Sequence, residues 1–305
     1  MSYKLDNKFV IAVASSALFD LSDSDKVFRE HGEEAYRQYQ RDHEHEVLSI
    51  GVAYPLIKRL LSINTPEEQI VEVILLSRND PDTGLRVFKS IEHYELGISR
   101  AVFVAGNQPF PYMNSFNACL FLSGNPDDVR EAVERGFPAG CIYPSDYIDN
   151  EADNELRLAF DFDGVIADDS AESIFLTGQL EGFHSHEKQM ADEPLPGGPL
   201  IRFFTEISKL QKREIQKNQV DPAYKPKIRL AIVTARNAPA HERVITTLRK
   251  LDIRVDEAFF LGGVEKSSVL NVFKPHIFFD DQVGHIKGVA SMFPSVHVPF
   301  GVKNK

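Results

Sequence analysis

The sequence lacks tryptophan altogether, holds two cysteines among 305 residues, and has no apolar run long enough to cross a bilayer. Two thiols, Cys119 and Cys141, cannot supply a disulfide framework, so a reducing compartment, the cytoplasm, is expected. Basic charge is scarce too: 34 Lys+Arg against 45 Asp+Glu leave a formal net charge of -11. Such a surface repels polyanions, which argues against a nucleic-acid polymer or an anionic membrane as partner. A small anionic substrate stays open, because a bound divalent cation and a few donors outweigh distant surface charge. Self-association into a homo-oligomer is left open as well. Lys4 and Lys8 ahead of the apolar run at 9–19 have the outline of a short signal peptide, but the run reads better as a buried strand.

What the sequence does contain is alternation. Short apolar runs at 9–14, 71–76, 101–105, 118–122, 156–160, 228–233, 258–261 and 276–279 read as buried strands. Stretches of helical length and spacing lie between them, at 83–94, 126–134, 239–251 and 283–292. Strands alternating with helices predict an α/β fold with Rossmann-like parallel sheets covered on both faces. The acidic stretch 146–154 reads as an interdomain linker, and the polar stretch 209–227 as a helix end and loop. A chain of 305 residues has room for two domains. The expected division is 1–148 and 149–305.

A faint internal repeat supports two similar halves. Residues 11–28 align with 158–175 (158 − 11 = 147), ending with Phe28 opposite Phe175. Further along, Ser77 aligns with Thr234 (234 − 77 = 157), and 103–106 with 260–263 and 120–122 with 277–279 follow at that offset. His45-Glu46 has a counterpart in His186-Glu187, and residues 55–57 have one in 199–201.

In the second half the strand at 156–160 ends in Asp161-Phe162-Asp163-Gly164. Side chains alternate along a strand, so both carboxylates can face one way, and Gly164 lets the chain turn. An Asp-x-Asp pair alone is as well explained by turns and caps. Three further elements follow at strand ends, however: Thr234, then Lys266 beyond Gly262-Gly263, then Asp280-Asp281. Lys274 competes with Lys266, and Thr234 or the acidic pair could instead cap helices. Clusters around His184–Lys188 and His43–Glu46 lack the cysteines of a typical transition-metal site and read as polar helix or loop residues.

Together these four elements resemble the haloacid dehalogenase-like phosphatases. The stretches 278–282, 233–236, 186–188 and 75–79 are closer still to the cytosolic 5′-nucleotidase I family. That resemblance implies a Mg2+-dependent hydrolase of nucleoside 5′-monophosphates, AMP first, working through an aspartyl-phosphate. It assigns Asp161 as nucleophile and Asp163 as general acid/base, with Thr234 and Lys266 binding phosphate. Mg2+ would be held by Asp161, Asp281 and the Asp163 backbone carbonyl, with Asp280 standing behind them. A cap would be inserted at about 168–226, making Phe183, His186, Lys188 and Arg236 candidate substrate contacts. A phosphatase for sugar phosphates and a non-catalytic nucleotide-binding regulator are the alternatives.

Projecting the catalytic positions onto the first half finds Ala14, Ser16, Ser123 and Gly124 where the four aspartates stand, and Pro109 opposite Lys266. That half is expected to be catalytically silent. Ser15, Ser16, Ser77, Arg78 and Asn79 near its strand ends could bind an anion without metal, and the resemblance implies a regulatory nucleotide as a further ligand.

Overall fold

The computed structural model describes residues 4–304, with the side chains of 171–173 and 175–179 left outside the description. Phe175, the repeat partner of Phe28, is among the latter. In chain order the first half is β1 (Phe9–Val13), α1 (Ser15–Leu18), α2 (Ser22–Asp42), α3 (Tyr54–Leu61), β2 (Val71–Ser77), α4 (Gly84–His93), β3 (Arg100–Phe103), β4 (Phe121–Ser123), α5 (Pro126–Glu134) and β5 (Ala139–Tyr143). The second is β6 (Leu156–Phe160), α6 (Ser170–Gln189), α7 (Ile201–Val220), β7 (Ile228–Thr234), α8 (His241–Lys250), β8 (Glu257–Phe260), α9 (Lys266–Phe273), β9 (Ile277–Asp280), α10 (Val283–Val289) and β10 (Ser295–His297). Gly32 interrupts α2 at φ +81°, splitting it into two helical pieces.

All ten strands lie in one sheet, in the order β3-β2-β1-β4-β5-β10-β9-β6-β7-β8. Every pairing is parallel except β5 with β10. The two halves therefore repeat one strand order and meet edge to edge through their last strands. β1, β2 and β9 are buried along their whole length, as continuous apolar runs in a sheet covered on both faces must be. The run at 9–19 thus supplies a central strand rather than a leader.

Two features differ from the sequence reading. The fourth strand is shorter than 118–122, starting at Phe121, and β5 and β10 were not anticipated at all. β10 has three residues, and β5 contains Gly140, which dilutes the apolar signal. The glycine has a steric reason: a Cβ there would fall 2.2 Å from Val296 Cγ1 on β10. The stretch 209–227 is helical as far as Val220 and is pinned by buried Glu214, which accepts hydrogen bonds from Tyr224 Oη at 2.6 Å and Ile228 N at 3.0 Å. Likewise the stretch 146–154 is held down by buried Arg59, which pairs with Asp149 and donates to the Asn150 and Asp153 carbonyls.

The expected cap of 168–226 also divides. α7 belongs to the core: its Phe203 and Phe204 pack on Phe160 of β6 with ring centroids 5.9 and 4.8 Å away. α6 reaches over the strand ends instead, as its contacts below show.

Candidate active site

Asp161 follows β6 directly, and its backbone N–H donates to Phe279 O of β9 at 2.8 Å. The carboxylate is thereby fixed in the crevice between β6 and β9, outside the carboxyl ends of the strands, where ligands of open α/β sheets bind. One Asp161 oxygen accepts the Phe162 N–H at 2.7 Å, and the other lies 2.7 Å from Lys266 Nζ. Lys266 also donates to Asp280 at 2.7 Å. Asp280 accepts in addition from Gln282 N at 2.8 Å and lies 3.1 Å from His285 Nδ1, so it anchors the lysine and is itself fully engaged.

Asp281 is different. It is buried, and its Oδ1 has no hydrogen-bond partner. Its carboxylate lies against Gly164, where φ is +74° and a Cβ would stand 2.7 Å from Asp281 Cγ. Only glycine fits that turn, on grounds of both backbone and space.

Three buried carboxylates, Asp161, Asp280 and Asp281, thus surround one ammonium and one imidazole. Burial, then the neighbouring Asp161 and Asp280, push the Asp281 carboxyl well above its ordinary range. Burial raises Asp161 too, against the pull of Lys266. Asp280 goes the other way: burial opposes ionisation, but Lys266 and His285 outweigh it. Excess negative charge around an orphaned carboxylate oxygen is the environment of a hard cation taking oxygen ligands. Among the described residues, Asp161, Asp280 and His285 form the one cluster of His, Cys, Asp and Glu atoms close enough to share an ion. Asp281, whose Oδ1 has no partner, lies outside that cluster, and the acidic donor set as a whole fits a hard cation.

Thr234 ends β7, is buried, and its Oγ1 accepts the Arg236 N–H at 3.1 Å. It does not cap α8, which begins at His241. The competition between lysines is settled by placement: Lys266 is buried between Asp161 and Asp280, whereas Lys274 is exposed in a left-handed turn after α9.

Arg236 does something the sequence did not reveal. Its Nε and Nη2 each donate to an oxygen of Asp163, both at 2.7 Å, in a bidentate clamp. Its Nη1 bonds Glu187 on α6, and Glu187 also accepts from Arg243 of α8 at 2.8 Å. Glu187 is fully buried and Arg236 nearly so. Burial alone would lower the guanidinium pKa, but Asp163 and Glu187 together hold it above its ordinary value. Phe183 faces the same guanidinium at 5.4 Å from its ring centroid, and His184 Nε2 lies 3.1 Å from Asn237 Oδ1.

Of the four candidates for substrate contact, Phe183 and Arg236 therefore stand at the site. Lys188 is exposed, and His186 is half-exposed with its nearest charged partner Glu187 at 4.0 Å. Glu187 was dismissed with its neighbours, yet it is the residue of that segment that reaches inward. Helical spacing carries the signal, since Phe183 and Glu187 lie four apart on one face. The expected alignment of Glu46 with Glu187 fails for the same reason, because it is Gln40 of α2 that occupies the corresponding helical position. In the first half, Ser15, Ser16, Ser77, Arg78 and Asn79 do line one cavity, but Arg78 is committed to Asp128 through Nε at 2.8 and 2.9 Å.

A doubly wound sheet that places a buried carboxylate, a buried lysine, a strand-end threonine and an acidic pair together at its strand ends suits phosphoryl transfer. The model of the 5′-nucleotidase family matches residues 1–305. The chain belongs to the 5′-nucleotidase family. A curated human relative, cytosolic 5′-nucleotidase 1B, is 33% identical over 295 residues. The match covers 93% of this chain and 48% of the relative, so the chain spans about half of that protein's length. No solved structure matches the chain. No helix among the described residues is long and apolar enough to cross a membrane.

Proposed function

We propose that this chain is a magnesium-dependent 5′-nucleotidase of the cytoplasm that releases phosphate from nucleoside 5′-monophosphates, AMP first among them. The observation that carries the reading is Asp161, held by Lys266 at 2.7 Å beside the unpartnered Asp281 oxygen at the mouth of a parallel sheet. The catalytic work falls to residues 149–305, with the half at 1–148 silent because it lacks the carboxylates.

A phosphate monoester is a dianion, so a carboxylate reaches phosphorus only where cations and donors neutralise that charge first. Lys266 supplies one charge, and the hydroxyl of Thr234 and the backbone N–H groups of Phe162 and Asp163 supply donors. Mg2+ held by Asp161, Asp281 and the Asp163 carbonyl would supply the remaining charge neutralisation. Asp161 then forms the new O–P bond as the P–O5′ bond breaks, and Asp163 delivers a proton to O5′. In the second step Asp163 takes a proton from water, which attacks phosphorus and frees Asp161. Arg236 is the positioning residue for both steps. It fixes the Asp163 carboxyl by two hydrogen bonds, one of which must yield whenever Asp163 handles a proton.

The test is phosphate release from a panel of nucleoside monophosphates and sugar phosphates, with and without magnesium. Magnesium-dependent release from nucleotides is expected. Release from sugar phosphates alone would keep the chemistry and discard the substrate, and release from neither would leave a nucleotide-binding protein without turnover.

A further inference from the structure

A cavity of about 840 Å³ lies away from Asp161, Asp163, Asp280 and Asp281. It opens at the carboxyl ends of β1, β2 and β4, beneath α2, in the half that lacks counterparts of the four aspartates. Ala14, Ser16, Ser123 and Gly124, the counterparts of the four aspartates, all line it, as does Ser77, the counterpart of Thr234. The cavity is thus the second copy of the catalytic pocket, in the size range of small-molecule sites.

Its frame is retained contact by contact. Tyr36 of α2 bonds Asn79 Oδ1 at 3.1 Å where Phe183 of α6 faces Arg236. Arg37 meets Asp80 at 2.9 Å where His184 meets Asn237. Arg86 donates to Gln40 at 3.2 Å where Arg243 donates to Glu187. Each pair sits at corresponding positions of the repeat. The helix meets the strand ends at corresponding positions in both halves, while the four aspartates and the lysine are replaced by uncharged residues.

The charges of the wall point the same way. Arg78 is chelated by Asp128, and Arg37 is shared between Glu33 and Asp80, at 2.8 and 2.9 Å. Lining carboxylates (Asp25, Glu33, Asp80, Asp127, Asp128) outnumber the guanidiniums of Arg29, Arg37 and Arg78. No metal-capable cluster lies there among the described residues. A phosphate dianion entering this space would face net negative charge, with the Arg37 and Arg78 guanidiniums each paired to carboxylates. A neutral ligand would find groups ready for it. Asn79 Nδ2 is buried without a hydrogen-bond partner, the Ser15 and Ser77 hydroxyls are 2.8 Å apart, and Phe28 stands half-exposed at the rim, edge-on to Tyr36 at 5.9 Å.

We propose that this cavity is a second binding site, for an uncharged nucleoside: a base over Phe28 and Tyr36, hydroxyls on Asn79 and the serines. The ligand class rests on the nucleotidase reading, since a pocket stripped of phosphate-handling groups but keeping its frame suits what remains of the substrate after phosphate has left.

Adenosine is titrated calorimetrically into the full chain in EDTA, and into Asn79→Leu and Phe28→Ala, with AMP turnover measured on each protein. Expected is a binding event for adenosine weakened tenfold or more by both variants, with AMP turnover changed less than twofold. Phe28 is 51% exposed, so its variant keeps the fold even if Asn79→Leu does not. Adenosine binding unchanged in Phe28→Ala, or AMP in EDTA binding more tightly than adenosine in a manner the variants abolish, overturns the proposal. Adenosine binding lost in the variants of a protein that turns over no nucleotide would support the site while sinking the nucleotidase reading.

Discussion

The clamp between Arg236 and Asp163 makes a prediction that separates positioning from substrate binding. Replacing Arg236 by methionine keeps the length and apolar packing of the stem and removes four hydrogen bonds, two to Asp163, one to Glu187 and one to the Ala240 carbonyl. Breaking a buried pair by deleting one partner costs about 3–5 kcal/mol. Glu187 keeps Arg243 at 2.8 Å and Asp163 is partly exposed, so the lower end, about 3 kcal/mol of stability, is expected in urea unfolding. The catalytic effect is read by leaving group. A ribose oxygen needs its proton, and a mispositioned general acid forfeits about 10²–10⁴ in rate. A p-nitrophenolate leaves without one. In single-turnover experiments, nucleoside release from AMP should therefore fall about 100-fold, while the p-nitrophenol burst from p-nitrophenyl phosphate falls less than about 5-fold, within what small displacement of the site allows. Equal losses on both substrates would refute the argument and place Arg236 on the phosphoryl group.

Asp161→Asn should abolish formation of the covalent phosphoenzyme and bring magnesium-dependent turnover to background; retained turnover removes Asp161 as nucleophile. For Asp281, a raised carboxyl pKa means that the metal-free folded state carries an extra proton, so its stability falls as pH rises from the ordinary carboxylate range through the raised value. Magnesium displaces that proton. Its affinity, measured by calorimetry, should climb between pH 6 and 8 in the parent and be weak and flatter in Asp281→Asn; identical pH dependence in both would exclude Asp281 as a ligand. His276, buried behind β9 with Nδ1 accepting from Arg157 N, is lowered to about 4 by burial, Arg59 and Arg157. Its stabilising contribution is complete above pH 6.5 and is lost as pH falls toward 4, about 3 kcal/mol in all. His276→Asn should flatten that part of the acid limb in urea unfolding, and an unchanged limb would show that other groups set it.

Most of the fold was legible because buried parallel strands advertise themselves as apolar runs, and eight were found near their true positions. The runs at 156–160 and 228–233 even carry the site residues at their ends. The seam was illegible: β10 has three residues, and β5 needs a glycine where a strand signal wants a branched side chain. Asp161, Thr234 and Asp281 were expected at strand ends from order and strand context, and they stand there, while Lys266 opens α9. Glu187, Arg243 and His285 were not expected, since their importance arises from which helix face turns inward, and that is decided by packing. Arg236 was read as a contact for substrate because nothing in Val233-Thr234-Ala235-Arg236 says that the guanidinium would fold back onto Asp163.

The seam itself decides whether the first half can be dispensed with. Among the described residues β5 and β10 are the only antiparallel neighbours in the sheet, and they bury each other's edges. Without the first half, the catalytic half would expose the N–H and C=O groups along one side of β10, a template for aggregation. The first half therefore stabilises the second through the seam whatever it binds. Gly140 is where this can be measured. A methyl at 140 would sit 2.2 Å from Val296 Cγ1 but 3.7 Å from Val296 Cβ, an ordinary contact. Gly140→Ala should cost about 1–3 kcal/mol through overpacking. Val296→Ala alone opens a small void and costs about 1–2 kcal/mol. In the double variant the new methyl occupies the space the valine vacated, so the losses should fall short of their sum by more than about 1 kcal/mol. Urea unfolding of the four proteins closes the cycle. Additive losses would mean that Gly140 and Val296 do not press on each other, and that the halves are held together elsewhere.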